Sequence, residues 1–336
     1  MKNADEVCQR LERFLARRMS QPGTVKVDNY QVIAGGYSRH MARFTAHCDG
    51  LSRNLIMRAD PVDANVTIDS DRTREWALLQ VLTEGTGVPM PRALYFDEDG
   101  SELGSKTIIL EAVQGHSLLA EIRGEASPLV ADPVDAFAEL AARIHQTDLA
   151  QLPEEIEQPA SWEDYIDGRI EEWRKSEAQQ VERNPLFRYM AGWLEDNRPE
   201  PAPLRLLHGE LQPSNIMVDA RGQLLAVDWD MARVGDPRED LGWCTWVESM
   251  QPPRTITTDP SRLRQLYAAK SGLDESLVSP GAIAYFTVVA GLQGMQGLYT
   301  QVRELSEGRN ESLLPAYLLG ALSTAHEQWW GVTRQG

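Results

Sequence analysis

The chain has little sulfur chemistry to offer. Its three cysteines, Cys8, Cys48 and Cys244, are scattered over 336 residues and show none of the spacings that a metal site or a redox pair requires, so they read as reduced packing residues. Basic charge is also scarce. Against 50 Asp and Glu stand 33 Lys and Arg, a formal net charge of −17, which argues against nucleic acid or an anionic membrane as principal partner because both would be repelled. Long apolar runs are missing too. The most apolar late segment, residues 283–299, contains Gly291, Gln293, Gly294, Gln296 and Gly297 and is too short and too polar to cross a bilayer. The opening stretch MKNADEVCQRLERFLARRM has no apolar core of signal-peptide length; it reads as an amphipathic helix with Val7, Leu11, Phe14 and Leu15 on one face. A cytoplasmic protein is the expectation. Repeats and low-complexity tracts are absent, and 42% hydrophobic with 25% charged residues suits a globular chain long enough for two lobes and a substantial core.

What is present is concentrated between Leu206 and Gly242, LLHGELQPSNIMVDARGQLLAVDWDMARVGDPREDLG. An apolar lead-in runs into His208-Gly209-Glu210, and Asn215 follows five residues after the carboxylate. The apolar run Ile216-Met217-Val218, turn residues Asp219 to Gly222 and a second apolar run from Leu224 to Val227 ending on Asp228 predict strand, hairpin, strand, carboxylate. Glu210, Asn215 and Asp228 can then meet at one end of that hairpin. Phosphoryl transfer needs such a set: one carboxylate to orient an attacking hydroxyl and take its proton, with an amide oxygen and a second carboxylate to hold the magnesium that bridges the phosphates. The spacing matches the kinase catalytic loop.

With His-Gly in place of His-Arg, Asp228-Trp229-Asp230 in place of Asp-Phe-Gly, and GDPREDLGW following, the stretch resembles the aminoglycoside phosphotransferase family of kinase-like enzymes. The late helix VVAGLQGMQGLYTQVR is similar to one in the long-chain branch that includes the kinase-like domain of certain acyl-CoA dehydrogenase fusions. This resemblance runs through the whole chain in order. It implies an α+β, two-lobed protein-kinase-like fold: an N-lobe over residues 1–115 with an antiparallel sheet and one long helix, and a mainly helical C-lobe over 116–336 carrying the catalytic hairpin. The activity implied is transfer of phosphate from ATP or GTP, with Mg2+, to the hydroxyl of a small molecule. Lobe closure would assemble such a site.

The resemblance also assigns the other segments. Gly35-Gly36-Tyr37-Ser38, at the tip of an alternating stretch from Val25 to Ala46, would be the nucleotide-phosphate flap, although Gly-Gly in a hairpin is by itself only a turn. Arg58, ending the strand Leu55-Ile56-Met57, stands where most kinases carry a phosphate-binding Lys; a solvated strand-end Arg is the alternative. Glu75, in a helix from Asp71 to Thr83 with Trp76, Leu79 and Leu82 on its buried side, is its expected partner, unless it is merely a solvated helix residue. Glu111-Ala112-Val113-Gln114-Gly115 looks like the hinge, with Glu111 and Val113 at the nucleotide base. His145, closing LAARIH, reads as a packed or capping residue. The acidic stretch 154–182 carries ten Asp or Glu; it reads as a solvated helix face, or as a wall favouring a cationic acceptor. Asp240, the second Asp of GDPxxDL, would accept backbone hydrogen bonds from the catalytic loop, with His208 as a further organiser.

One departure matters. The family's catalytic base is Asp, and here Glu210 is a methylene longer, a displacement of roughly 1 Å unless the loop adjusts. Three readings follow: a Mg-ATP-dependent phosphotransferase of a hydroxylated acceptor, a nucleotide-binding pseudokinase, or a scaffold that binds no nucleotide. The acceptor is left open between an aminoglycoside, a hydroxyacyl-CoA and another metabolite.

Overall fold

The computed structural model describes residues 4–19, 24–33, 40–60, 71–179, 185–250, 254–308, 327 and 329–333. Gly35, Gly36, Tyr37 and Ser38, the expected flap, lie outside the described residues. The chain divides into two compact units, Met1–Thr86 with Met90–Gln114, and Gly87–Pro89 with Gly115–Gly336.

The first unit begins with α1 (Ala4–Arg18), whose residues Leu11, Phe14 and Leu15 are fully buried. Strands β1 (Lys26–Val32), β2 (His40–Cys48) and β3 (Leu51–Ala59) follow, then α2 (Arg72–Glu84), β4 (Ala93–Asp97) and β5 (Thr107–Glu111). They form one antiparallel sheet in the order β1-β2-β3-β5-β4. In β2 the residues Ala42, Phe44, Ala46 and Cys48 alternate with exposed or half-buried ones, so one face of the sheet is apolar. The α1 residues share a core with them and with Leu55, Met57 and Ile109. At about 25 cal/mol per Å2 of apolar surface, each such buried Leu or Phe contributes roughly 2 kcal/mol.

Helix α2 starts because the Asp71 carboxylate accepts from the Thr73 N–H and caps it. Its buried face carries Arg72, Glu75, Leu78, Leu79 and Leu82. Trp76, expected on that face, is instead half-buried and stacks on Phe96 at 5.4 Å between ring centroids. The face has turned because an ion-paired Glu75 goes in with the leucines.

In the second unit β6 (Gly115–Ser117) is followed by α3 (Leu118–Ile122), α4 (Pro133–His145), α5 (Trp162–Ala178) and α6 (Pro185–Asp196). Next come β7 (Arg205–Leu207), β8 (Ile216–Asp219), β9 (Leu224–Ala226), β10 (Arg233–Gly235), α7 (Arg238–Met250), α8 (Pro260–Ser271) and α9 (Pro280–Ser306). Two small antiparallel sheets, β6-β8-β9 and β7-β10, frame the 206–235 stretch. Gly115 pairs with Asp219, and a Cβ on it would lie 1.8 Å from the Val218 carbonyl oxygen, so this position has room only for glycine. The main core joins α5, α6 and α9 through Trp162, Ile166, Trp173, Phe187, Phe286 and Trp329, among others. Trp243 and Trp246 are buried, and Trp330 is half exposed. Among the described residues no helix is long and apolar enough to cross a membrane.

Candidate active site

The 206–235 stretch is shaped by short strands that cannot bend except where glycine or a turn allows it. Leu206 and Leu207 are fully buried in β7 and pair with Val234 and Arg233 of β10. The chain then turns at Gly209, whose φ of 85° is in the left-handed region. A Cβ there would lie 2.2 Å from the Met231 carbonyl oxygen, so the two arms of the loop approach as closely as backbone can.

Asp240, fully buried in the first turn of α7, holds this turn in place. Its Oδ2 accepts from the His208 N–H at 2.9 Å and its Oδ1 from the Gly209 N–H at 2.8 Å. Its third partner is His145 Nε2 at 3.0 Å, and His145 Nδ1 meets the Tyr267 hydroxyl at 2.7 Å. A carboxylate only accepts, so Nε2 of His145 bears a proton and donates to Asp240. Burial alone would raise the Asp240 carboxyl, but the bonds from His145 and the backbone outweigh it and hold it below the usual carboxylate range.

The His208 ring crosses the loop. Its Nδ1 accepts from the Glu210 N–H at 3.3 Å and its Nε2 donates to the Val227 carbonyl at 3.0 Å, which fixes the tautomer. Trp229 packs on it at 4.8 Å between centroids. The Val227 N–H in turn donates to the Asn215 carbonyl at 2.9 Å, and the Asn215 side-chain amide donates to the Glu210 carbonyl at 3.1 Å. Glu210, Asn215 and the residue before Asp228 are thereby tied to one another. Asp228 has a φ of 70°, which a non-glycine residue adopts only when its surroundings enforce it.

These ties concentrate negative charge. Glu210 is half-buried and its carboxyl is pushed up to about 8, first by burial and then by the charges of Asp228 and Asp230, with Arg233 acting in the opposite sense. Arg233 itself donates to Glu239 of α7, to Gln293 of α9 at 3.0 Å, and through Nη1 to the Met231 carbonyl at 2.8 Å. Asp236, the first acid of GDPxxDL, is bound by Arg238 at 2.6 and 2.8 Å and by the Trp162 indole at 2.7 Å, so it braces the start of α7.

In the first unit Arg58 is 4% exposed and donates to Glu75 at 2.5 Å. The solvated alternatives for both residues are thereby excluded. Arg72 also donates to Glu75, and to Asp60 at 2.9 Å, so one carboxylate carries two guanidinium groups. Glu111 ends β5, with its N–H on the Arg92 carbonyl at 2.9 Å; Val113 is half-buried in the segment after it.

Sequence reasoning missed Arg72, Asp230, Arg233, Glu239 and Gln293. For Arg72 a signal existed, its place three residues before Glu75 on a helix. Arg169 was counted in a solvated charge run, yet it donates to Glu239 at 3.0 Å and to Gln293 at 2.7 Å. Among the described residues no cluster of three His, Cys, Asp or Glu is arranged to hold a metal; the candidate pair is one amide and one carboxylate, Asn215 and Asp228.

The sheet unit and the helical unit with its carboxylate hairpin define the class, the kinase-like fold of phosphotransferases. The sequence profile of the phosphotransferase enzyme family matches residues 30–272, and the chain belongs to that family. A Ralstonia eutropha JMP134 protein, a candidate aminoglycoside phosphotransferase, shares the fold with a TM-score of 0.73 at 19% identity, over 97% of this chain and 98% of its own. A ternary complex of the aminoglycoside phosphotransferase APH(4)-Ia with ADP and hygromycin B gives 0.64 at 17% identity, over 97% and 98%. Acyl-CoA dehydrogenase family member 11 of Gallus gallus is 24% identical over 322 residues, 90% of this chain. The chain spans about two fifths, 41%, of the length of that relative. Both expected likenesses, to aminoglycoside phosphotransferases and to the acyl-CoA dehydrogenase branch, are met.

Proposed function

We propose that the chain transfers the γ-phosphoryl group of ATP, or of GTP, to an alcohol hydroxyl of a small molecule. One observation carries this reading: backbone ties hold Glu210, Asn215 and the residue before Asp228 together, and the Glu210 carboxyl is raised by burial first and then by the charges of Asp228 and Asp230. A divalent cation offsets those charges. The donor set fits magnesium, which takes one or two protein oxygens and fills its octahedron with phosphates and water. Asn215 and Asp228 would hold it; when bound, it would neutralise charge developing on the phosphates.

The chain's own residues account for the rest. The Glu210 carboxylate orients the acceptor hydroxyl and takes its proton as the hydroxyl oxygen bonds to the γ-phosphorus and the bond to the β-phosphate oxygen breaks, leaving the nucleoside diphosphate. Asp240 and His208 keep the backbone of Glu210 in place while this happens. Arg58, held by Glu75, is a fixed cation for the nucleotide phosphates, and Glu111 and Val113 would meet the base through their backbone. Gly35, Gly36, Tyr37 and Ser38 complete the proposal as the phosphate flap. An acceptor with cationic groups suits the acidic α5; a hydroxyacyl thioester suits the likeness to the acyl-CoA dehydrogenase relatives.

A second reading rests on the longer Glu210 side chain: a nucleotide-binding pseudokinase. Calorimetric titration with ATP, with and without magnesium, on the wild type and Asp228→Asn separates them. Magnesium-dependent binding lost in the variant, followed by ADP release with a hydroxylated acceptor, supports the transferase. Binding indifferent to magnesium and to the substitution supports the pseudokinase, and no binding leaves a scaffold.

A further inference from the structure

Between the catalytic loop and helices α5, α7 and α9 lies a polar cluster that the reaction above leaves unused. Arg233 and Arg169 are two like charges, and both donate to the same two acceptors, Glu239 Oε1 and Gln293 Oε1. Tyr165 also donates to Glu239. Acceptors are short here, since the Nε atoms of Arg169 and Arg233 are buried with no hydrogen-bond partner among the described residues. The oxygen of Gln293 is one of the two acceptors that the arginines share.

The other end of that amide faces the loop. Gln293 Nε2 donates to the Gly209 carbonyl at 3.4 Å, a long contact. Two guanidinium donors on one side and a carbonyl on the other leave the amide a single orientation that satisfies both. Glutamate, of the same shape, has no donor to give; leucine has neither group.

We propose that Gln293 is a positioning residue of the catalytic loop: its amide holds Arg233 and the Gly209 carbonyl at once, and so fixes where the neighbouring Glu210 carboxylate stands. The geometry behind this is tight. Arg233 Nη1 bonds the Met231 carbonyl at 2.8 Å, and both occupy the space beside Gly209 that a Cβ would need, which would lie 2.7 Å from Nη1 and 2.2 Å from the carbonyl oxygen. Moving Arg233 therefore moves Gly209, and Glu210 is the next residue. Helix α9 thus reaches the reacting group through one side chain. That placement also offers a device by which a loop could accommodate the longer Glu210.

The inference rests on the phosphotransferase reading for its catalytic part but not for its structural part, and the test uses both. Two variants of the full chain, Gln293→Glu and Gln293→Leu, are compared with the wild type by hydrogen exchange of the 206–212 segment and by ADP release from Mg-ATP, with an acceptor or with water. Exchange in the loop is expected to quicken about tenfold in Gln293→Leu while α4 is unchanged. In Gln293→Glu, kcat is expected to fall about tenfold with the KM for Mg-ATP unaltered, because the reacting group is misplaced and the nucleotide contacts are intact. Gln293→Glu keeps the acceptor for both arginines and so stays folded even if Gln293→Leu does not. Equal exchange and equal kcat in all three overturn the proposal. A wild type that turns over no Mg-ATP overturns the transferase reading, while faster loop exchange in the variants would still uphold the positioning role.

Discussion

At the scale of single residues the catalytic loop is specified by contacts that tolerate no change of type. Gly209 is the sharpest case. Alanine would need a left-handed φ and would put its methyl against the Met231 carbonyl, a rigid backbone atom. Strain and overlap together predict a loss of about 3 kcal/mol for Gly209→Ala, read by denaturant unfolding, and abolition of the proposed phosphoryl transfer. Asp240 is the second. Asn in its place keeps one acceptor oxygen but turns an NH2 toward backbone N–H or His145 N–H groups, so Asp240→Asn should cost about 2–4 kcal/mol at neutral pH. The pH dependence has a definite sign. The folded-state pKa of Asp240 lies below its ordinary value, so its stabilisation is complete above about pH 4 and is lost as pH falls through the lowered value. Stability curves of wild type and Asp240→Asn should converge below pH 4; a gap that stays constant in acid would mean that the carboxylate charge is not what holds the loop.

At the scale of elements, helix α9 shows how local propensity and packing compete. Gly294 and Gly297 lie one turn apart, and alanine is favoured over glycine in a helix by about 1 kcal/mol. At Gly297 nothing among the described residues lies within 4 Å of an added Cβ, so Gly297→Ala should stabilise by up to about that amount. At Gly294 the Cβ would lie 2.1 Å from the Trp246 ring. A buried indole packed against Trp243 cannot yield, and overpacking of about 1–3 kcal/mol outweighs the propensity gain, so Gly294→Ala should lower the melting temperature. If both substitutions raise it, Trp246 is less constrained than its burial implies. The same contrast marks what a sequence discloses. The strands, helix α2 and the 206–228 hairpin were legible because their signals are local: alternation, apolar residues at helical spacing, a carboxylate five residues before an amide. Trp76 was misplaced because an amphipathic pattern scores Glu75 as polar and so exposed, whereas its pairing with Arg58 and Arg72 pays for burial.

For the whole molecule, spacing could not disclose partners brought together from afar. His145 and Tyr267 are 122 residues apart, and Gln293 and Gly209 84, so no local pattern links them; only the family resemblance gave Asp240 its role in advance. Net charge, in contrast, is a property of the whole sequence and makes a prediction of its own. The chain carries −17, and a nucleoside triphosphate approaching it is repelled at long range whatever cations wait in the site. Screening falls to about 10 Å at 0.1 M salt. Added salt should therefore speed association of metal-free ATP with this protein, the reverse of a site that draws its ligand in by opposite charge, where salt slows encounter. Magnesium halves the nucleotide charge and should flatten that dependence. Stopped-flow association rates at about 10 and 150 mM ionic strength, with and without magnesium, measure both effects. A rate that falls with salt would mean that the local field around Arg58 dominates over the charge of the rest, and that the approach path, not the total, sets the encounter.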